Sequence, residues 1–110
     1  MPPVLYGLKN CDTCKKAMKA LPDAAFVDIR AEADLGSKVP DWLAAVGADA
    51  LVNKRSTTWR GLADAEKASA ERGDAAALLI ANPTLIKRPV IEADGAVHVG
   101  WTKAVEAVFA

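Results

Sequence analysis

The sequence predicts an α/β fold: a small mixed sheet of four strands carrying a helical insertion. Three observations carry this. The chain opens with two short apolar, β-prone segments on either side of one amphipathic helical stretch. Its middle is rich in alanine at helical spacing. Its last third changes period to strand, hairpin turn and return strand.

The elements follow in order. Val4-Leu5-Tyr6 reads as a buried strand ended by Gly7-Leu8-Lys9-Asn10. Asp12 to Leu21 reads as a helix with Ala17, Met18 and Leu21 on one face and Lys15, Lys16 and Lys19 on another. Pro22-Asp23 stops it. Phe26-Val27-Asp28-Ile29 is the second strand. A strand, helix, strand opening favours a parallel pair joined by a right-handed crossover.

Val39 to Val46 is a short helix with Trp42 and Leu43 inward, ended at Gly47. Ala48 to Arg60 is less regular. Leu62 to Arg72 and Ala75 to Ala81 are helices separated at Gly73, and Asn82-Pro83 ends the second. Thr84-Leu85-Ile86 is a short turn. Pro89 to Glu92 and Val97 to Val99 are strands joined by Ala93-Asp94-Gly95, whose Asp-Gly pair is a hairpin signal. Trp101 to Phe109 closes the chain as a helix with Val105, Val108 and Phe109 inward.

The chain of 110 residues is expected to form a single domain over 1–110. Alanine supplies 23 residues, which favours helix but adds little burial per residue. Fourteen basic residues balance fourteen acidic ones, so the positive field of a direct nucleic-acid binder is not expected. Trp42, Trp59 and Trp101 are not interleaved with a basic stripe and read as packing residues. No apolar run is long enough for a membrane span. Met1-Pro2-Pro3 lacks the basic and apolar regions of a secretory signal, which makes a cytoplasmic location the expectation.

Cys11 and Cys14 carry the chemistry. They fall where the first strand becomes the first helix. The first turn of a helix has unpaired N–H groups and partial positive charge, so a thiolate there is favoured. Lys15 and Lys16 stand close in sequence and are expected to add to the effect. Cys11, at the tip, is expected to attack, and Cys14, more buried, to resolve the mixed disulfide. Two other readings stand beside this one. A zinc site needs four ligands, and only His98 is a further candidate, so no metal is expected. Two inert buried thiols would need no chemistry at all. His98 alternates with Val97 and Val99 and reads as a solvated or hydrogen-bonded strand histidine.

Three segments carry a resemblance. Tyr6-Gly7-Leu8-Lys9-Asn10-Cys11-Asp12-Thr13-Cys14-Lys15-Lys16-Ala17 resembles the opening of the arsenate reductase (ArsC)/Spx-like family, and within it the small YffB-type branch. Leu51 to Arg60, with Asn53-Lys54-Arg55-Ser56-Thr57-Thr58-Trp59, is similar to the same branch. So is Asn82-Pro83-Thr84-Leu85-Ile86-Lys87-Arg88-Pro89-Val90. The resemblance implies a thioredoxin-like fold with a helical insertion. It implies that Pro89 is a cis-proline facing the cysteines, with the backbone of Arg88 pairing with a bound peptide or glutathione.

Departures shape the implied activity. Arsenate reductases of this family hold the oxyanion with several arginines. Arg88 matches one, but the other positions fall on Asn53 and Gly100, a histidine position falls on Gly7, and Cys14 is an added thiol. The implied function is a glutathione-dependent thiol–disulfide reductase. Its catalytic residues would be Cys11, Cys14 and Arg88. Lys9, Asn10, Thr13, Lys15, Asn53, Lys54, Arg55 and Pro89 would bind substrate. Lys9, Lys15, Lys16, Lys54, Arg55, Lys87 and Arg88, seven of the 14 basic residues, come from these segments, which suits the carboxylates of glutathione. No bound cofactor is implied, with glutathione a co-substrate. Two alternatives belong to the same resemblance: a glutathione-coupled arsenate reductase, and a Spx-like redox-sensing regulator that binds RNA polymerase.

Overall fold

A computed structural model describes residues 3–31, 33–71 and 75–109. They fall into two compact units. One combines the chain up to Ala33 with the chain from Arg88 onward, and the other is the insertion Asp34–Lys87.

The first unit holds the sheet. Strand β1 (Val4–Gly7) leads through helix α1 (Asp12–Ala20) to β2 (Ala25–Asp28), and after the insertion come β3 (Val90–Ala93) and β4 (Ala96–Val99). The order is β2-β1-β3-β4, with β1 parallel to β2 and antiparallel to β3, and β3 antiparallel to β4. The mixed four-stranded sheet is the one expected. Asp94 and Gly95 both take positive φ, 51° and 80°, as a tight two-residue hairpin requires.

Alternation along the strands decides which residues meet α1. Leu5 and Ile91 sit side by side in register and are fully buried. With Ala17 from α1 and Val105 from the closing helix they form a core cluster, ringed by Met18, Leu21, Phe26, Trp101 and Phe109. Each fully buried aliphatic side chain here contributes about 1.5–3 kcal/mol. Gly7 lies two residues beyond Leu5 and so on the same face. Tyr6 points to the other face, where its hydroxyl donates to Glu92 Oε1 at 2.8 Å.

Two expectations about the C-terminal end need correction. The last helix, here numbered α7, spans Lys103–Phe109, starting after Gly100 turns the chain at φ 81°. Thr102 Oγ1 accepts the Val105 N–H at 3.3 Å. Val108, expected inward, is 57% exposed. Trp101 stacks on Phe109, and His98 meets the same ring edge-on at 5.3 Å. The apolar face therefore runs through Val105 and Phe109, and Val108 is turned past it. His98, half-buried on β4, packs its ring edge-on against Phe109.

The insertion contains α2 (Leu35–Val46), α3 (Ala48–Leu51), α4 (Thr57–Arg60), α5 (Asp64–Glu71) and α6 (Ala75–Ala81), then a 3₁₀ turn at Pro83–Leu85. The expected separation at Gly73 lies outside the described residues. Helix α2 starts four residues earlier than expected and carries Pro40 in its interior. Proline removes the bond to the carbonyl four residues back. That residue is Gly36, which is exposed, so water can take the carbonyl. Leu35, Val39 and Trp42 share one face at helical spacing and are all buried, which outweighs the local break.

The segment expected to be irregular is organised by Asn53. Its N–H donates to Leu85 O at 2.7 Å, and its side-chain oxygen accepts the Arg55 N–H at 3.1 Å. Ser56 Oγ donates to Asn53 O and accepts the Trp59 N–H, capping α4. Val52 bridges to Ile86, and Lys87 N–H closes the pairing onto Leu51 O at 2.7 Å.

Candidate functional site

The thiol pair belongs to the first unit. After β1 the chain turns at Lys9 and Asn10, where Cys11 N–H donates to Leu8 O at 3.2 Å. Cys11 is the N-cap of α1, with extended backbone at φ −89° and ψ 121°. Its carbonyl already accepts the Lys15 N–H at 2.9 Å, the first bond of the helix. Cys14 is three residues on, at the position whose N–H has no partner within the helix and faces the N-cap side chain. Helix geometry thus sets the CxxC spacing to work: one thiol at the cap, the other supplying the amide that looks back at it.

Burial separates the two. Cys11 is half-buried and Cys14 is 1% exposed, and both are free thiols. Burial on its own pushes the Cys11 thiol up. The Cys14 amide, the Cys14 thiol and the Arg88 side chain, by hydrogen bond and by charge, together outweigh burial and hold Cys11 below its ordinary value. Cys14 moves the opposite way, pushed up to about 11. Burial is the leading cause, and the neighbouring Cys11 adds to it, against smaller opposing contributions from the Leu8 backbone and Arg88. Of the two thiols, Cys11 is the one that ionises first.

Arg88 is the cation that bears on Cys11. Lys15 and Lys16, expected to assist, are exposed on α1 and do not take this role. Arg88 is half-buried, with its Nε atom buried, and it precedes Pro89 across a cis peptide bond. Pro89 is itself fully buried, and its carbonyl accepts the Gly100 N–H at 2.8 Å. Asn10 and Thr13 are exposed beside Cys11 in sequence, and Lys9 is exposed at the turn. Cys11, Cys14, Arg88, Pro89, Lys9, Asn10, Thr13 and Lys15 therefore share one unit.

Asn53, Lys54 and Arg55 belong to the insertion. Asn53 builds the turn already described. Lys54 Nζ lies 5.7 Å from the centre of the Trp59 ring and 3.9 Å from Asp49. Arg55 is exposed.

One residue of the site escaped sequence reasoning. A Cβ built on Gly7 would stand 2.5 Å from Cys14 Sγ and 3.4 Å from its Cβ. Glycine at 7 is what lets the second thiol lie against β1. The available signal was a glycine at the end of a strand that faces the following helix.

A protein-family model described as the ArsC family matches residues 6–108. The chain belongs to the ArsC family. An uncharacterized protein of Haemophilus influenzae (strain Rd) is 43% identical over 96% of this chain and 97% of its own length. The solved structure of the YffB (PA3664) protein is 36% identical, covers 96% of each chain and superposes with a TM-score of 0.84. The solution structure of an arsenate reductase (ArsC)-related protein from Brucella melitensis is also 36% identical. It covers 99% of this chain and 95% of its own, with a TM-score of 0.76. The thioredoxin-like architecture of the ArsC family is the fold seen here. Among the described residues no helix is long and apolar enough to cross a membrane.

Proposed function

We propose that this ArsC-family protein is a cytoplasmic thiol–disulfide reductase that uses glutathione as its electron donor. The observation that carries the reading is the opposed ionisation of two thiols on one helical turn. Cys11 is accessible, capped onto a helix and beside Arg88. Cys14 is buried and held as the thiol.

The Cys11 thiolate attacks one sulfur of a substrate disulfide, forming a mixed disulfide and releasing the other half as a thiolate. Bonded Cys11 no longer carries charge, so its contribution to raising Cys14 disappears. Cys14 then gives up its proton more readily and attacks the Cys11 sulfur. The second half of the substrate leaves as a thiol, and an internal disulfide remains. One glutathione thiolate opens that disulfide and a second releases oxidised glutathione. The sum is one disulfide plus two glutathiones to two thiols plus glutathione disulfide.

Lys9, Asn10, Thr13, Lys15 and the backbone before Pro89 are assigned to binding glutathione or another small thiol or disulfide substrate. Gly100 has no side chain with which to hold an oxyanion, which weighs against arsenate as substrate. In a Spx-like regulator bound to RNA polymerase the same pair would switch without turnover, so catalytic turnover separates the two readings.

The test is mass spectrometry after incubation with oxidised glutathione. The wild type should lose two hydrogens as the internal disulfide forms. Cys14→Ser should trap one glutathionyl group on Cys11, and Cys11→Ser should stay unmodified. A Cys11 that takes up no glutathione in the Cys14→Ser protein overturns the reading.

A further inference from the structure

A cavity of about 330 Å³ opens beside α1, and Cys11 is not among the residues that line it. Leu8, Met18 and Phe26 form its apolar walls, and Cys14 contributes to them. Helical spacing puts Cys14 and Met18 on one face of α1, and Phe26 closes the space from β2. The remaining lining residues are Lys9 and Lys15, both exposed and so placed at the mouth. The volume is at the lower end of the range for small-molecule sites.

The charged side chains that line this cavity are Lys9 and Lys15, both cationic. Asp28 lies close enough to Lys9 to feel its charge. Its Oδ1 already accepts the N–H groups of Arg30 at 2.8 Å and Ala31 at 3.0 Å, and Arg30 adds its own charge to hold the carboxyl below the usual range. Asp28 thus has partners in its own turn, and among the described residues no acidic side chain lines the cavity. An apolar slot with two lysines at its entrance suits a molecule with an apolar chain and one anionic end.

The geometry points to a binding site for a small amphipathic carboxylate, its chain against Leu8, Met18 and Phe26 and its carboxylate between Lys9 and Lys15. This site does not depend on thiol turnover. A ligand there would lie against the wall that contains the resolving thiol.

The test is an amide NMR titration of the full chain with sodium octanoate, and in parallel with octylammonium chloride, which has the same chain and the opposite charge. Octanoate should saturate, with shifts centred on Leu8, Lys9, Cys14, Lys15, Met18 and Phe26. Octylammonium should bind at least tenfold more weakly. The double variant Lys9→Glu/Lys15→Glu, changed only at exposed positions, should invert that preference. Met18→Trp, which fills the slot, should abolish octanoate binding while leaving Cys11 glutathionylation unchanged. Octanoate shifts scattered elsewhere, equal affinity for the two amphiphiles, or an unaltered preference in the double variant would overturn the assignment. The octanoate titration of the wild type and the Met18→Trp arm are read separately from Cys11 glutathionylation, whereas the double lysine variant also tests the glutathione contacts given to Lys9 and Lys15.

Discussion

Gly7 and Cys14 occupy complementary space: the Cys14 sulfur fills the volume that any side chain at position 7 would need, at 2.5 Å from the missing Cβ. The constraint is steric rather than conformational, since Gly7 does not have a left-handed backbone. Gly7→Ala is therefore expected to destabilise the fold by about 1–3 kcal/mol through overpacking. In a Cys14→Ala background the sulfur is gone and most of that cost should vanish. A double-mutant cycle by chemical denaturation measures the coupling, and additive effects would contradict the contact.

The acidity of Cys11 should depend on Arg88. Arg88→Gln removes a charge and a hydrogen bond that favour the thiolate, so the Cys11 value should rise toward that of ordinary cysteine. Alkylation rate against pH, followed by peptide mapping, reads this directly. Lys15→Gln should leave the profile in place. If the two variants behave alike, the assignment of the controlling cation is wrong.

Cys14 should leave a mark on stability at high pH. Its folded value of about 11 lies above the ordinary 9.0, so the folded state favours the protonated thiol. For an acid raised in this way, the unfolded chain loses its proton first. The contribution is fully present below about pH 9 and is lost as pH climbs toward 11. The stability difference between wild type and Cys14→Ser should therefore shift against the wild type across that interval and stay flat below it. Denaturation midpoints at a series of pH values supply the check.

Ser56 should matter more than its surface position suggests. Its hydroxyl donates to Asn53 O at 2.9 Å and accepts from Trp59 N–H at 3.1 Å. Ser56→Ala should cost about 1 kcal/mol, the usual loss for an N-cap. Ser56→Thr should recover most of it, and thermal unfolding of both variants decides the matter.

Particular residues show where sequence reasoning reached and where it stopped. The strand and helix order was legible because Val4-Leu5-Tyr6 and the Asp94-Gly95 turn are short, strong and local signals. Cys11 and Cys14 announced themselves by spacing at a strand-to-helix junction. Helix α2 was misjudged at its start because Gly36, Ser37 and Pro40 all argue locally against helix. The burial of Leu35, Val39 and Trp42 that overrides them is tertiary. Val108 was misplaced because the packing of Trp101 on Phe109 sets the rotation of α7. Arg88 came from the family resemblance alone. No local pattern says that a residue 77 positions after Cys11 is its counter-charge. The fit of Cys14 over Gly7 depends on how α1 lies on the sheet, which no sequence window contains.

The sheet also places a condition on when this chemistry exists during synthesis. Its central pair joins Val4 to Glu92, so β1 waits for nearly the whole chain before β3 can lie beside it. Arg88 arrives with the same late segment. A nascent chain that has emerged only as far as the insertion lacks Arg88, one of the groups that hold Cys11 low. The full set of groups that favour a Cys11 thiolate is thus assembled only once the last third of the chain folds back onto the first.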